Sequence, residues 1–366
     1  MSDATEVTVT VLNGFDEIEP EEWNRLVECS ATRSVFQTWQ WHRAWWDVFG
    51  GGLRLILLCA GDKRVITGIA ACVIDAAGVV RFVGHGRSDY ADIICPGDRA
   101  DVRSALLRAI GQVSVGWKRI ELANLPANSP TVSAFSGLGL HVLTTNSMPC
   151  PTLLIEGHAD DFARVRKKKS LRRHLNRFRK EHGYQVSHFA VAADIQPQLE
   201  QFFDQHVGRW AGTESTSLFC DQINRDFYRS VTEALDGTGW LRFTRLMVGD
   251  EPIAFHFGFA YGGKFFWYKP SFEAALARRS PGEALLAELF ELAAGELAVE
   301  FDFTVGDEPF KQRFTNHVRH NVTLIAFRSP IGFQLRRAIE ATKGYLKASP
   351  LGNHAFVLAK RLLRRR

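Results

Sequence analysis

With 366 residues, 46% of them hydrophobic and 23% charged, the chain is long enough for two domains of the usual ~100–200 residues, and its composition excludes a disordered or fibrous protein. No run approaches the ~20 uninterrupted apolar residues of a membrane span, and the start MSDATEVTVTVLNG lacks the basic-then-apolar layout of a signal peptide, so a cytoplasmic location is expected. The net charge of +5 is concentrated in two segments, and six cysteines (29, 59, 72, 95, 150 and 220) without Cys-x-x-Cys or paired His/Cys spacing argue against a metal site or disulfide framework and read as small buried residues.

In the first half, alternation at 6–12 predicts a strand, and Asp16-Glu17-Ile18-Glu19-Pro20-Glu21-Glu22 predicts an acid-rich helix start. A Trp-rich helix is predicted over 36–49. Its tryptophans at 39, 41, 45 and 46 span more than one face and are assigned to packing between domains, with sugar stacking as the other reading. Apolar, β-branched runs at 53–59 and 65–74, parted by the turn Gly61-Asp62, and a run near 79–83 predict strands. A helix over 98–115, apolar at Leu106, Leu107 and Ile110, leads to a strand at 119–122.

The second half repeats this plan after a helix over 164–180 that carries ten Lys and Arg and no acid, with Leu171, Leu175 and Phe178 as its buried stripe. Helices follow at 197–210 and 221–235, strands at 240–248, 252–260 and 264–268, then a helix at 281–297 and a strand at 299–305. Helices, three antiparallel strands, a helix and a strand thus occur twice. This is an α/β (α+β) plan of two mixed, mainly antiparallel sheets related by duplication, not a strict βαβα alternation. The expected domains are 1–155 and 156–328, followed at 329–366 by a basic amphipathic helical tail. The tail has an apolar stripe at Ile331, Leu335, Ile339 and Leu346, and ends Lys360-Arg361-Leu362-Leu363-Arg364-Arg365-Arg366.

The stretch from Tyr268 to Leu286, YKPSFEAALARRSPGEALL, ends a strand, crosses a short loop and opens a helix. Ser280 suits the N-cap, Pro281 the first helical position, and Glu283 completes a Ser-x-x-Glu capping box. Arg279-Ser280-Pro281-Gly282-Glu283-Ala284 also resembles the Arg/Gln-x-x-Gly-x-Gly/Ala loop with which GNAT acyltransferases hold the pyrophosphate of acyl-CoA. Free backbone N–H groups, the positive helix end and close approach at Gly282 suit an anion there. Arg278, Arg279, Ser280, Gly282 and Ala284 are therefore the candidate donor-binding residues. The plain capping box is the competing reading, and Glu283 opposes an anion. In the first half the equivalent helix begins Pro96-Gly97-Asp98-Arg99-Ala100-Asp101, whose aspartates repel phosphate, so one donor site is expected.

Phe36-Gln37-Thr38-Trp39-Gln40-Trp41-His42-Arg43-Ala44-Trp45-Trp46 with Phe49-Gly50-Gly51, then Ser88-Asp89-Tyr90-Ala91-Asp92, Arg279-Ser280-Pro281-Gly282, and Asp302-Phe303 through Gly306-Asp307-Glu308-Pro309-Phe310-Lys311, together resemble the CelD-like (cellulose-biosynthesis type) acetyltransferases over residues 20–328. That family is similar to the Fem aminoacyltransferases. The resemblance implies a tandem GNAT fold and acyl transfer from a thioester, acetyl-CoA or another acyl-CoA, to an amine or hydroxyl in polysaccharide or envelope pathways. It singles out Asp89, Tyr90 and Tyr268 as substrate-binding and Asp302, Asp307 and Lys311 as catalytic. Phe310 stands where the family usually has Tyr, which removes a hydroxyl, whereas Fem enzymes have a Phe-Lys pair in a similar place.

Direct attack on a thioester asks for orientation, an oxyanion donor and a proton acceptor, and no nucleophilic side chain. Asp302 and Asp307 are the candidate bases or acceptor anchors. Asp302 also reads as an outward residue of an alternating strand, sharing a face with Glu300 and Thr304. Lys311 is the candidate oxyanion or phosphate partner, or else a surface lysine. His256 is a candidate base, or else a hydrogen-bonded core histidine. Asp89 and Tyr90, after Gly84-His85-Gly86-Arg87, reach toward the acceptor or form a plain turn. The basic helix at 164–180 suits donor phosphates, anionic lipid or RNA, and tRNA is the partner under a Fem-like reading. The tail suits peripheral contact with the inner membrane surface. A catalytically silent partner in polysaccharide synthesis is a third class.

Overall fold

In the computed structural model, residues 7–62, 65–213 and 216–348 are described. The strands among them are β1 (Val9–Leu12), β2 (Arg54–Asp62), β3 (Val65–Ile74), β4 (Val79–Phe82), β5 (Arg119–Pro126), β6 (His141–Leu154), β7 (Gln185–Phe189), β8 (Leu241–Val248), β9 (Glu251–Tyr261), β10 (Lys264–Phe272), β11 (Glu300–Asp302) and β12 (His317–Phe327). All twelve belong to one sheet, in the order β1-β2-β3-β4-β5-β12-β6-β11-β10-β9-β8-β7.

Each half opens with an antiparallel meander, β1 to β4 and β7 to β10. A parallel neighbour then requires a crossover. The helices Ala100–Val113 and Pro281–Gly295 supply it, bringing β5 beside β4 and β11 beside β10. The last strand of each half is exchanged. β6 pairs with β11, β12 pairs with β5, and β6 and β12 pair with each other along the middle. The expected pair of separate sheets is therefore a single continuous one, because the exchange leaves no unpaired edge at the junction.

Apolar side chains form a core for each half and a third between them. One packs Ile56, Leu58, Val102 and Leu106, another Leu153, Leu285, Phe290 and Phe301. In the third, Trp41 lies against Phe227 at 5.2 Å and Phe259 at 5.8 Å, joining a helix of the first half to a helix and strand of the second. Packing between halves is thus the role of Trp41, and its indole N–H donates to Ser88 at 2.8 Å.

The predicted basic helix is two helices, Ala159–Arg166 and Lys169–Arg179, and in the latter Leu171, Leu175 and Phe178 are buried. Cys72, Cys95 and Cys150 are buried as expected, but Cys29 and Cys220 are exposed. The tail helix Pro330–Ala348 exposes Ile331, Leu335 and Ile339, and the basic run 360–366 lies outside the described residues. No helix among the described residues is long and apolar enough to cross a membrane.

Candidate active site

β10 and β11 stay in register for three pairs, ending at Phe266 opposite Asp302, and then part. Two local features drive the parting. β10 changes register against β9 between Phe266 and Lys269, and the chain leaving β11 turns through left-handed Thr304 (φ 56°) and Gly306 (φ 146°). A β-branched residue in that conformation is held against a cost of roughly 1–3 kcal/mol. Here its N–H donates to Asp302 Oδ1 at 2.7 Å, and its hydroxyl to the Trp267 carbonyl at 3.3 Å.

A cleft of about 310 Å³ occupies the gap. Trp210, Trp267, Tyr268 and Phe310 form its aromatic walls, and Asp89, Arg209, Lys269, Glu308 and Lys311 bring charge into it. Lys311 is 3% exposed, and its ammonium donates to the Val305 carbonyl at 3.1 Å and pairs with Glu308 at 2.9 Å. An ammonium has three donors, so one is left for a ligand. Gly306 is required beside it because its φ of 146° is a conformation that a residue with a Cβ adopts only under strain. Lys269 lies with Nζ 3.8 Å from the centre of the Tyr268 ring. Burial holds its pKa below the ordinary lysine value, Asp89 opposes that fall, and Lys311 and Arg87 add to it. Arg209 donates to the Pro270 carbonyl at 2.7 Å and stacks on Phe272, and burial lowers its pKa also. His206 is neutral, its pKa pushed down to about 3 by burial and by Arg209 and Lys269. The first half reaches in through Asp89, and Tyr268 is tied to that half by donating to the Arg87 carbonyl at 2.6 Å.

Of the residues singled out from sequence, Asp89, Tyr268 and Lys311 meet in this cleft. Asp302 and Tyr90 line a different cavity. Asp302 is 1% exposed and accepts from the Tyr90 hydroxyl at 2.8 Å, the Thr304 N–H at 2.7 Å and Arg319 at 3.0 Å. Burial pushes its pKa up and Arg319 pulls it down, with the net shift upward. It is a fully bonded interior carboxylate, and neither the outward strand residue nor a base facing the cleft. His256 is corrected to a core residue. It is fully buried, stacked on Phe265 and Trp267, faces the Phe266 carbonyl at 3.2 Å through Nε2, and lines neither cavity. Asp307 is exposed and lines neither cavity.

At the start of the helix Pro281–Gly295, Pro281 is the first helical residue as expected, but no capping box forms. Ser280 is left-handed (φ 60°) without a side-chain cap, and Glu283 pairs instead with Arg313 at 2.8 Å. Arg278 is exposed, and Arg279 pairs with Glu181 and lies over the Phe178 ring. Gly282 faces Phe272, 3.3 Å from the position of a Cβ, and Ala284 is buried. Sequence reasoning missed Arg209, Lys269 and His206. Lys269 carried one signal, a charged residue inside an otherwise apolar run.

Residues 165–312 match the family model described as Acetyltransferase (GNAT) domain. No curated protein matches the chain. Among solved structures the fold is similar to that of FemX, with 9% identity, 87% of this chain and 98% of that one covered, and a TM-score of 0.64. It is also similar to L-PGS from Bacillus licheniformis (14% identity, 96% and 98% covered, TM-score 0.55) and to a tandem GNAT protein from the clavulanic acid biosynthesis pathway (14%, 89% and 99%, 0.51). The fold is a tandem GNAT fold, and the domain it carries makes the chain an acyltransferase.

Proposed function

We propose that the chain transfers an acyl group directly from an acyl-CoA thioester to an amine or hydroxyl of a sugar, nucleotide-sugar or other envelope precursor, as in CelD-like acetyltransferases. The observation that carries this reading is the cleft between the parted ends of β10 and β11, inside the segment that matches the GNAT model. Ligands of parallel strands sit beyond their carboxyl ends, which is where the free donor of Lys311 meets a developing oxyanion. Asp89 anchors the acceptor, aromatic walls suit a sugar face, and Arg209 and Lys269 suit its phosphates.

The start of the helix Pro281–Gly295 accommodates a CoA pyrophosphate by exchange of partners. Arg278 is exposed, and the Arg279–Glu181 pair is a partly exposed one worth under ~1 kcal/mol. Calorimetric titration with acetyl-CoA and longer acyl-CoAs should give saturable binding that falls at least ~tenfold in a variant carrying Arg279→Ala and Gly282→Asp. A folded protein that gives no heat with any acyl-CoA removes the reading.

One observation favours a second reading, transfer from aminoacyl-tRNA. Glu181 and Glu283 both stand at that helix start, two carboxylates against a pyrophosphate, while the neighbouring helix Lys169–Arg179 exposes Lys169, Arg172, Arg173 and Arg177. Saturable binding of charged tRNA without CoA affinity distinguishes it.

A further inference from the structure

The helix Pro330–Ala348 rests on β6 and β12, but its polarity is inverted for a surface helix. Such a helix ordinarily turns its apolar stripe toward the core and its charges toward water. Here Phe333 is the anchor, its ring stacked on His141 at 5.5 Å and set against Phe327 at 6.2 Å. Arg336 and Glu340, half-buried and paired at 2.9 Å, follow at helical spacing on that side. Ile331, Leu335 and Ile339 recur every four residues on the side turned away, with exposures of 80%, 64% and 42%. Ala338 and Thr342, exposed between them, continue that face.

The surroundings are basic. From Arg328 to Arg366 the sequence holds ten Lys and Arg and one acid, Glu340, which Arg336 already engages. The folded body beside the helix adds to this charge. The Arg328 N–H donates to the Lys118 carbonyl at 3.3 Å, Lys118 and Arg54 are exposed, and Arg54 donates to the carbonyl of Val115, itself 81% exposed. Residues 102–155, which include β5 and β6, contain a single acid, Glu121, and it is paired with Arg119 at 2.8 Å. An aliphatic stripe set among basic residues does not suit a second copy of this chain, because two such faces would repel. Nor does it suit a nucleic acid, whose bases are held by aromatic rings and Arg planes rather than by Ile and Leu. Hydrocarbon beneath an anionic surface answers both features.

We propose that this helix face binds the surface of an anionic phospholipid bilayer, with Ile331, Leu335 and Ile339 entering the acyl boundary and the Lys and Arg around them meeting the headgroups. The contact stands on this helix and the charge around it, and is independent of which acyl donor the cleft takes.

Co-sedimentation of the full chain with vesicles of mixed phosphatidylglycerol and phosphatidylcholine, and with vesicles of phosphatidylcholine alone, tests it. The protein should bind the anionic vesicles saturably, at least ~tenfold more tightly than the neutral ones, and less tightly as salt is raised. Ile331→Ser, Leu335→Ser and Ile339→Ser together should weaken binding to anionic vesicles at least ~tenfold, and Leu335→Glu alone should act in the same direction. Val191→Ser with Ile223→Ser, at exposed apolar residues elsewhere, should leave binding unchanged. All of these side chains are exposed, and an unchanged urea midpoint separates lost binding from lost folding. Four results overturn the proposal: no binding to anionic vesicles by the folded chain; equal binding to neutral vesicles; binding indifferent to both stripe variants; or a dimer in sedimentation equilibrium that the stripe variants convert to monomer, which would mean that a second copy covers the face.

Discussion

In both halves a meander strand meets a parallel partner across a helix and the two then part, but the first half fills the gap and the second leaves it open. β4 and β5 share two register pairs, β10 and β11 three. Beyond each lies a left-handed non-glycine residue, Asn124 (φ 58°) and Thr304 (φ 56°). At Asn124 the carbonyl accepts from the Ala91 N–H at 3.0 Å, and the side-chain amide donates to the Ser88 carbonyl at 2.7 Å. Asp92, buried, anchors that filling by accepting from Thr32, Ser129, Thr131 and the Ile93 N–H. Asp89 of the same segment lines the cleft of the other half. Duplication has thus left one copy with a cleft, while the other serves as part of its wall.

The largest effect that separates the two halves belongs to Lys311. Lys311→Met keeps the buried stem and removes the ammonium, and kcat should fall ~10²–10³-fold, the loss that follows removal of one oxyanion donor. Unchanged donor affinity by calorimetry would place the loss in the transition state. An active Lys311→Met would mean that the open gap of the second half is not where chemistry happens.

Next in size is the filled gap. Asp92→Ala strands three hydroxyls and an N–H around a buried site, and should lower unfolding free energy in urea by about 3 kcal/mol. Because this segment holds Asp89 at the cleft, KM for the acceptor should rise while acyl-CoA binding stays within about twofold. A drop in acyl-CoA affinity of the same size as the acceptor effect would show that the first half shapes the donor site as well.

β7, short and polar at Gln185, Ser187 and His188, left no mark, but the first meander, β8 to β10 and both crossover helices were legible because apolar, β-branched runs and helix-period apolar residues do. The exchanged strands were not. β6 carries Pro149 and Pro151, a residue type that strand interiors ordinarily exclude, yet they are tolerated: their carbonyls accept from Gly306 and Phe303, and Pro needs no donor on that side. With β6 and β12 unseen, Glu300, Asp302 and Thr304 looked like the outer face of an alternating strand. They are 6%, 1% and 2% exposed, and Arg319 on β12 supplies the charge that makes the burial of the two carboxylates tolerable. The cleft was half legible for the same reason. Lys311, Tyr268 and Asp89 stand in recognisable local stretches, whereas Arg209 and His206 join them only because a distant helix, Leu199–Trp210, packs beside β10.

The smallest effect at neutral pH comes from buried histidines, and it asks whether the halves fail together. Burial pushes His42 in the first half down to about 4, and His206 and His256 in the second down to about 3. The folded protein therefore binds fewer protons than the unfolded chain between about pH 3 and the ordinary histidine value of 6.5, so stability rises with pH across that window and is lost as pH falls through it. From pH 7 to pH 5 each histidine should cost about 2 kcal/mol. His256→Gln should remove that share of the acid sensitivity, with little pH-dependent difference above pH 7. If the exchanged strands make one cooperative unit, a single urea transition should persist at pH 5, and His42→Gln and His256→Gln should flatten its pH dependence equally. Two transitions at pH 5, with His256→Gln moving only one, would mean that the halves keep separate stabilities despite sharing a sheet.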